Sequence, residues 1–94
     1  MKVYNLINDL GNPAQNQIVV ELGNGVTYFT SYSCPVCKID KGEVVLNPVY
    51  WDYSRTTSKH LYIFLRSYGF CVSNRQDVKK RIKSGEFKVN AFDY

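Results

Sequence analysis

The first half of the chain alternates between apolar and polar residues in short stretches, a pattern typical of β-strands. Gln17–Leu22 is rich in β-branched residues, and residues 26–33 alternate strictly after a Gly-Asn-Gly turn at residues 23–25. These segments predict a β-hairpin. A further strand is predicted at Glu43–Leu46, so that the first half forms an antiparallel meander.

Two segments of the first half are less regular. Because proline has no N–H to donate to a sheet, we expect a bulge, a kink or an edge position where residues 36–40 continue the second hairpin strand beyond Pro35. Near the N-terminus, four apolar residues show the i, i+3, i+4, i+7 spacing of a helix face: Val3, Leu6, Ile7 and Leu10. They predict a short helix that ends at Gly11, with a strand as the alternative.

The second half changes to the periodicity of helices. Apolar residues recur at the spacing of one helix face: Leu61, Phe64, Leu65 and Tyr68. Thr56, Thr57 or Ser58 is suited to cap the N-terminus of this helix, and Gly69 is suited to end it. The pattern therefore predicts one amphipathic helix in this part of the chain.

A second helix is predicted between Ser73 and Gly85. Ser73 is suited to be its N-cap, with Gln76 completing a capping box, and Gly85 is suited to end it. Its apolar face holds Val78 and Ile82. Phe87–Phe92 is predicted to be a short terminal strand or an extended arm.

These elements predict one α+β domain over residues 1–94, in which two to three short helices pack on one face of a small antiparallel sheet of three to four strands. The composition is 45% hydrophobic, 15% aromatic and 21% charged, which is typical of a globular domain and excludes collagen, coiled coil and a disordered chain. No apolar segment has the length of a membrane span or the position of a signal peptide. We therefore expect a cytosolic protein with no membrane contact.

The positive charge lies in the second half of the chain. The formal net charge of the protein is +4, of which residues 1–50 contribute −1 and residues 51–94 contribute +5. Contact with an anionic partner is therefore expected from the second half.

Two groups of residues in the second half are candidates for binding a partner. The first combines aromatic and cationic side chains: Trp51, Tyr53, Arg55 and Lys59. The second makes the last helix basic: Arg75, Lys79, Lys80, Arg81 and Lys83. Aromatic rings can stack on bases or fill a pocket of a partner, and cations can bind phosphate or carboxylate groups. The alternative is structural, with the aromatics joining helix to sheet and the cations in solvent.

The cysteines allow three interpretations. The Cys34-Pro-Val-Cys37 motif has the spacing of a redox site but no helical pattern after it. A zinc site would need four ligands, which are all three cysteines and the single histidine of the chain: Cys34, Cys37, His60 and Cys71. Burial of the cysteines as small hydrophobic residues is the interpretation that we favour. His60 lies beside no obvious nucleophile or carboxylate pair, so we expect neither an enzyme nor a cofactor.

The Trp-Asp-Tyr-Ser-x-Thr-Thr-x-Lys run at residues 51–59, with segments over residues 11–65, resembles a family of small proteins of unknown function from tailed bacteriophages and related mobile elements. The resemblance carries no catalytic residue. It implies a phage or prophage accessory protein that acts in the cytoplasm of a bacterial host.

Three functional hypotheses follow. The first is a non-enzymatic phage protein that inhibits a host defence system, such as a CRISPR effector, by binding a host protein or a protein–nucleic acid complex. The second is a small basic protein that binds nucleic acid weakly, and the third is a zinc-stabilised module. A homodimer is also possible, because a core of this size leaves some of the fourteen aromatic side chains exposed.

Overall fold

In the computed structural model, which describes residues 1–92, two helices lie against one face of a six-stranded sheet. The strands are β1 (Lys2–Ile7), β2 (Pro13–Glu21), β3 (Val26–Ser31), β4 (Cys34–Asp40), β5 (Glu43–Leu46) and β6 (Phe87–Val89). The helices are α1 (Arg55–Ser67) and α2 (Arg75–Lys83), which follow one another between β5 and β6. Neither is long and apolar enough to cross a membrane, in the part of the chain that the structure describes.

The strands lie side by side in the order of the chain. β1 to β5 form an antiparallel meander, whereas β6 returns after the two helices and pairs with β5 in parallel. The predicted antiparallel sheet of three to four strands is therefore wrong, because the described sheet has six strands and is mixed. The parallel pair follows from the crossover through α1 and α2, which returns the chain to the same end of the sheet.

The predicted N-terminal helix is also wrong, and the alternative of a strand is correct. β1 pairs with β2, with Val3 opposite Val20 and Asn5 opposite Ile18. Of the four residues with helical spacing only Leu6 is buried. A helix this short gains little by itself, whereas the free edge of β2 satisfies the backbone hydrogen bonds of a strand.

The prediction that residues 36–40 continue the strand of residues 26–33 is wrong, because the chain reverses at Tyr32 and Ser33 and β4 pairs antiparallel with β3. Both residues have positive φ angles, of 51° and 67°. Two-residue turns of this kind usually contain Asn-Gly, so the Tyr-Ser sequence did not predict a turn. The bulge expected at Pro35 is confirmed: Pro35 pairs with Thr30 and Cys37 with Phe29, which leaves Val36 as the additional residue.

Both helices begin at residues other than those predicted. The Oγ of Ser54 accepts the N–H of Thr57 at 3.2 Å, so α1 begins before Thr56. Asn74, not Ser73, caps α2, since its Oδ1 accepts the N–H of Asp77 at 2.9 Å. Asp77 accepts the N–H of Ser73 in turn, at 3.0 Å. The predicted ends are correct, because glycines with positive φ follow both helices, at residues 69 and 85.

The hydrophobic core fills the space between the sheet and α1. Val19, Phe29 and Leu46 from the sheet and Leu61, Phe64 and Leu65 from α1 are completely buried. The rings of Phe29 and Phe64 stack with their centroids 5.4 Å apart. This packing fixes α1 on the sheet and leaves Arg55, Thr56 and Lys59 of its first turns exposed.

Candidate functional site

A groove lies between the polar face of α1 and the N-terminus of α2. We call it the cationic groove; it has a volume of about 600 Å³. Its lining consists of three cations (Arg55, Lys59, Arg75), one carboxylate (Asp52) and four hydroxyls (Ser54, Ser58, Tyr62, Ser73). The ionised side chains give it a formal charge of +2. The tertiary structure thus joins cations from both groups that the sequence singled out.

The wall of the groove that belongs to α1 follows from helix geometry. Arg55, Ser58, Lys59 and Tyr62 have i, i+3, i+4, i+7 spacing, so they share one face. The first turn of α1 contains no acidic residue. The partial positive charge at this end of the helix therefore adds to that of the cations.

The opposite wall is fixed by an ion pair. Arg75 Nη2 lies 2.6 Å from Asp52 Oδ2, which joins the start of α2 to the segment before α1. Arg55 and Lys59 form no ion pair with any residue of the described range 1–92. Their charges are therefore the ones available to a ligand.

Tyr62 contributes a neutral hydroxyl to the groove. Its partial burial is the main cause that raises the pKa of the phenol, and nearby Asp52 raises it further. The hydroxyl stays protonated at neutral pH and can donate a hydrogen bond to an anion.

The basic face of α2 extends the groove along the surface. Arg75, Lys79 and Lys83 recur every four residues on one side of this helix, and Lys80 is also exposed. Arg81 differs from them. Its guanidinium bonds to Glu86 and to the carbonyl of Cys71, and it lies over the ring of Phe87, so it holds α2 to β6.

The two aromatic residues that were predicted to bind a partner have different environments. Trp51 is partly buried and packs against the core, as the structural interpretation expects. Tyr53 is 71% exposed. It lies at a second cavity on the other side of the first turn of α1.

This second cavity, which we call the aromatic cavity, has a volume of about 370 Å³. Tyr50 and Tyr53 line it from one side, with ring centroids 6.0 Å apart, and Tyr32 lines it from the β3–β4 turn. Cys34, Val36, Ser31, Thr57 and Ser54 complete the lining. Ser54 also lines the cationic groove, so the two spaces adjoin. Sequence reasoning missed Tyr32, because the turn that carries it was not predicted.

The four candidate zinc ligands are in different environments. Cys37 is buried in the core, Cys71 is exposed, and Cys34 lies beside Tyr50, whose pKa it raises. His60 Nδ1 lies 2.7 Å from the carbonyl oxygen of Thr56. Within residues 1–92 no three His, Cys, Asp or Glu side chains are grouped so that they could hold a metal ion.

A protein-family model matches residues 1–85, and this range contains the residues that line both cavities. The chain belongs to DUF8033, a family of unknown function. No curated protein and no solved structure matches the chain. The membership does not link the chain to a bacteriophage, so the phage origin stays a prediction.

Proposed function

We propose that this DUF8033 protein is a non-enzymatic binding module that holds the phosphate backbone of a nucleic acid in the cationic groove. The observation that carries the proposal is that Arg55 and Lys59, which form no ion pair within residues 1–92, lie in one open groove with four hydroxyls and with Arg75, which Asp52 already binds. Cations bind phosphate oxygens by charge, and hydroxyls bind them by hydrogen bonds.

The length of the basic surface favours a polymer over a single small anion. Lys79 and Lys83 continue the line of cations from Arg75 along α2. Successive phosphates of a backbone can meet successive cations, which a single phosphate ion cannot do. Because only three to five phosphates are contacted, we expect weak binding that depends strongly on salt.

The proposal is tested by fluorescence anisotropy with a labelled single-stranded oligonucleotide. The affinity should fall between about 50 mM and about 200 mM salt, with a log–log slope of about −2 to −3.5. The double variant Arg55→Gln/Lys59→Gln should make the slope less steep by about 1.4, since two phosphate contacts are lost.

A matched control removes the same charge elsewhere. Lys2 and Lys41 are exposed cations outside the groove, so Lys2→Gln/Lys41→Gln should keep the affinity of the wild type. Equal losses in the two double variants, or no binding of any nucleic acid at low salt, would contradict the proposal.

A host protein bound by a phage-encoded inhibitor is the second candidate. The exposed side chains of Tyr32, Val49 and Tyr53 favour it, because exposed apolar groups are common at protein interfaces. An acidic protein that binds through Arg55 and Lys59, together with no measurable binding of nucleic acid, would support this candidate over the first.

A further inference from the structure

We infer that the aromatic cavity is a subsite for one unpaired nucleobase of the strand whose backbone lies in the cationic groove. The inference rests on the proposed function and narrows the partner to single-stranded nucleic acid. A base that enters the cavity must first leave its stack, which a continuous duplex resists.

The position of the cavity supports this assignment. Ser54 lines both spaces, and the first turn of α1 lies between them. In a nucleotide only the sugar separates the base from the phosphate. A ligand that fills both spaces therefore needs a compact group joined through a short spacer to an anion, as in a nucleotide.

The walls of the cavity suit a planar ring. Tyr32 and Tyr53 come from different segments of the chain and are 60% and 71% exposed. Their rings can stack on any base, because every base has a π face. Stacking of this kind predicts binding with little preference for sequence.

Polar groups in the lining distinguish this cavity from an apolar pocket. The Oγ of Ser31 and the Oγ1 of Thr57 lie 3.2 Å apart in the buried lining, and Ser54 donates to Thr57 at 3.2 Å. Hydroxyls donate and accept hydrogen bonds, so they can meet the polar edge of a base.

The backbone of Tyr32 gives a further indication. Its φ of 51° lies in the left-handed region, which is strained for a non-glycine residue. Its N–H donates to the carbonyl oxygen of Asn16 at 2.8 Å, which holds the turn against β2. The fold thus keeps an exposed aromatic side chain at a position where asparagine or glycine would be less strained.

The experiment compares two oligonucleotides of equal length and charge, one of deoxythymidines and one with abasic sugars throughout. The wild type should bind the oligothymidine about tenfold more tightly than the abasic strand, since stacking adds to the phosphate contacts. Tyr53→Ala should remove this difference and leave the affinity for the abasic strand unchanged. Tyr53→Phe keeps the ring and should behave as the wild type.

Failure of the inference and failure of the proposed function give different results. Equal affinity of the wild type for both strands would overturn the base subsite and leave the phosphate groove standing, whereas no binding of either strand would overturn the proposed function. An equal loss of affinity for both strands in Tyr53→Ala would also overturn the base subsite. Tyr32→Ala provides a second variant, and circular dichroism melting confirms that each variant is folded.

Discussion

Cys37 is a reactive group that the fold makes inert. Its side chain is completely buried on β4, and desolvation raises the pKa of the thiol well above its ordinary value of 9.0. The thiolate, not the thiol, is the nucleophile, so a thiol that stays protonated at neutral pH reacts slowly.

The buried thiol makes stability depend on pH in the alkaline range. The folded state keeps a proton that the unfolded state releases above pH 9.0, so the free energy of unfolding should fall as the pH rises. The contribution of Cys37 is fully present below this pH and is lost by up to about 1.4 kcal/mol per pH unit above it. Urea unfolding between about pH 8 and about pH 10.5 measures the slope.

Cys37→Ala is the control for this prediction. The partly buried hydroxyl of Tyr68, which donates to Glu21 at 2.8 Å, also has a raised pKa, but the variant retains it. The difference between the two slopes therefore isolates the thiol. Parallel slopes in the two proteins would show that Cys37 does not titrate differently on unfolding.

At the scale of elements, the start of α2 illustrates how closely a cap depends on geometry. Ser73 and Asn74 are adjacent, and both residue types are good N-caps. The side chain of Asn74 accepts the N–H of Asp77, whereas Ser73 contributes its backbone N–H to the same turn. The helix therefore depends on the asparagine side chain.

Asn74→Ala should lower the free energy of unfolding by about 1 kcal/mol, because the N–H of Asp77 loses its partner. Ser73→Ala is the matched control and should have a much smaller effect, since the backbone hydrogen bond to Asp77 remains. Urea denaturation followed by circular dichroism compares the two variants. A larger loss in Ser73→Ala would mean that α2 begins one residue earlier.

At the scale of the whole molecule, the edge strand β6 ties the end of the described chain to the hydrophobic core. Phe87 pairs with Val44 of β5 and is almost completely buried. Its ring and that of Phe70 pack in a T-shaped arrangement with centroids 5.7 Å apart, and Arg81 lies over the Phe87 ring. The same residue thus holds the sheet, α2 and the α1–α2 connection together.

Phe87→Ala should cost about 3–5 kcal/mol of stability, because it removes a ring from the core and leaves a cavity. Phe92→Ala is the comparison. Phe92 is only partly buried, where its ring meets Tyr28 at 5.9 Å on the other face of the sheet, so its loss should cost less. Thermal and urea unfolding of both variants measure the difference. Equal losses would show that β6 is not part of the cooperative core.

Parts of the fold and of the site could be predicted because they depend on neighbouring residues. The hairpin of β2 and β3, the strand β5, the bulge after Pro35 and the end of α1 at Gly69 follow from local patterns. The aromatic and cationic residues Tyr53, Arg55 and Lys59 could also be named as candidates for binding. These three residues belong to one short segment of the chain, although Tyr53 lines a different cavity from Arg55 and Lys59.

The β-rich first half, the amphipathic α1 and the concentration of positive charge after residue 50 follow from local sequence patterns. Long-range packing is needed to make β1 a strand, to place a turn at Tyr32 and Ser33, and to run β6 parallel to β5. The tertiary structure also brings Arg75 to the same groove as Arg55 and Lys59, whereas the guanidinium of Arg81 donates to the carbonyl oxygen of Cys71. Pairing between distant segments depends on which backbone edges and apolar faces remain free once the core has formed, and a local pattern contains no information about these.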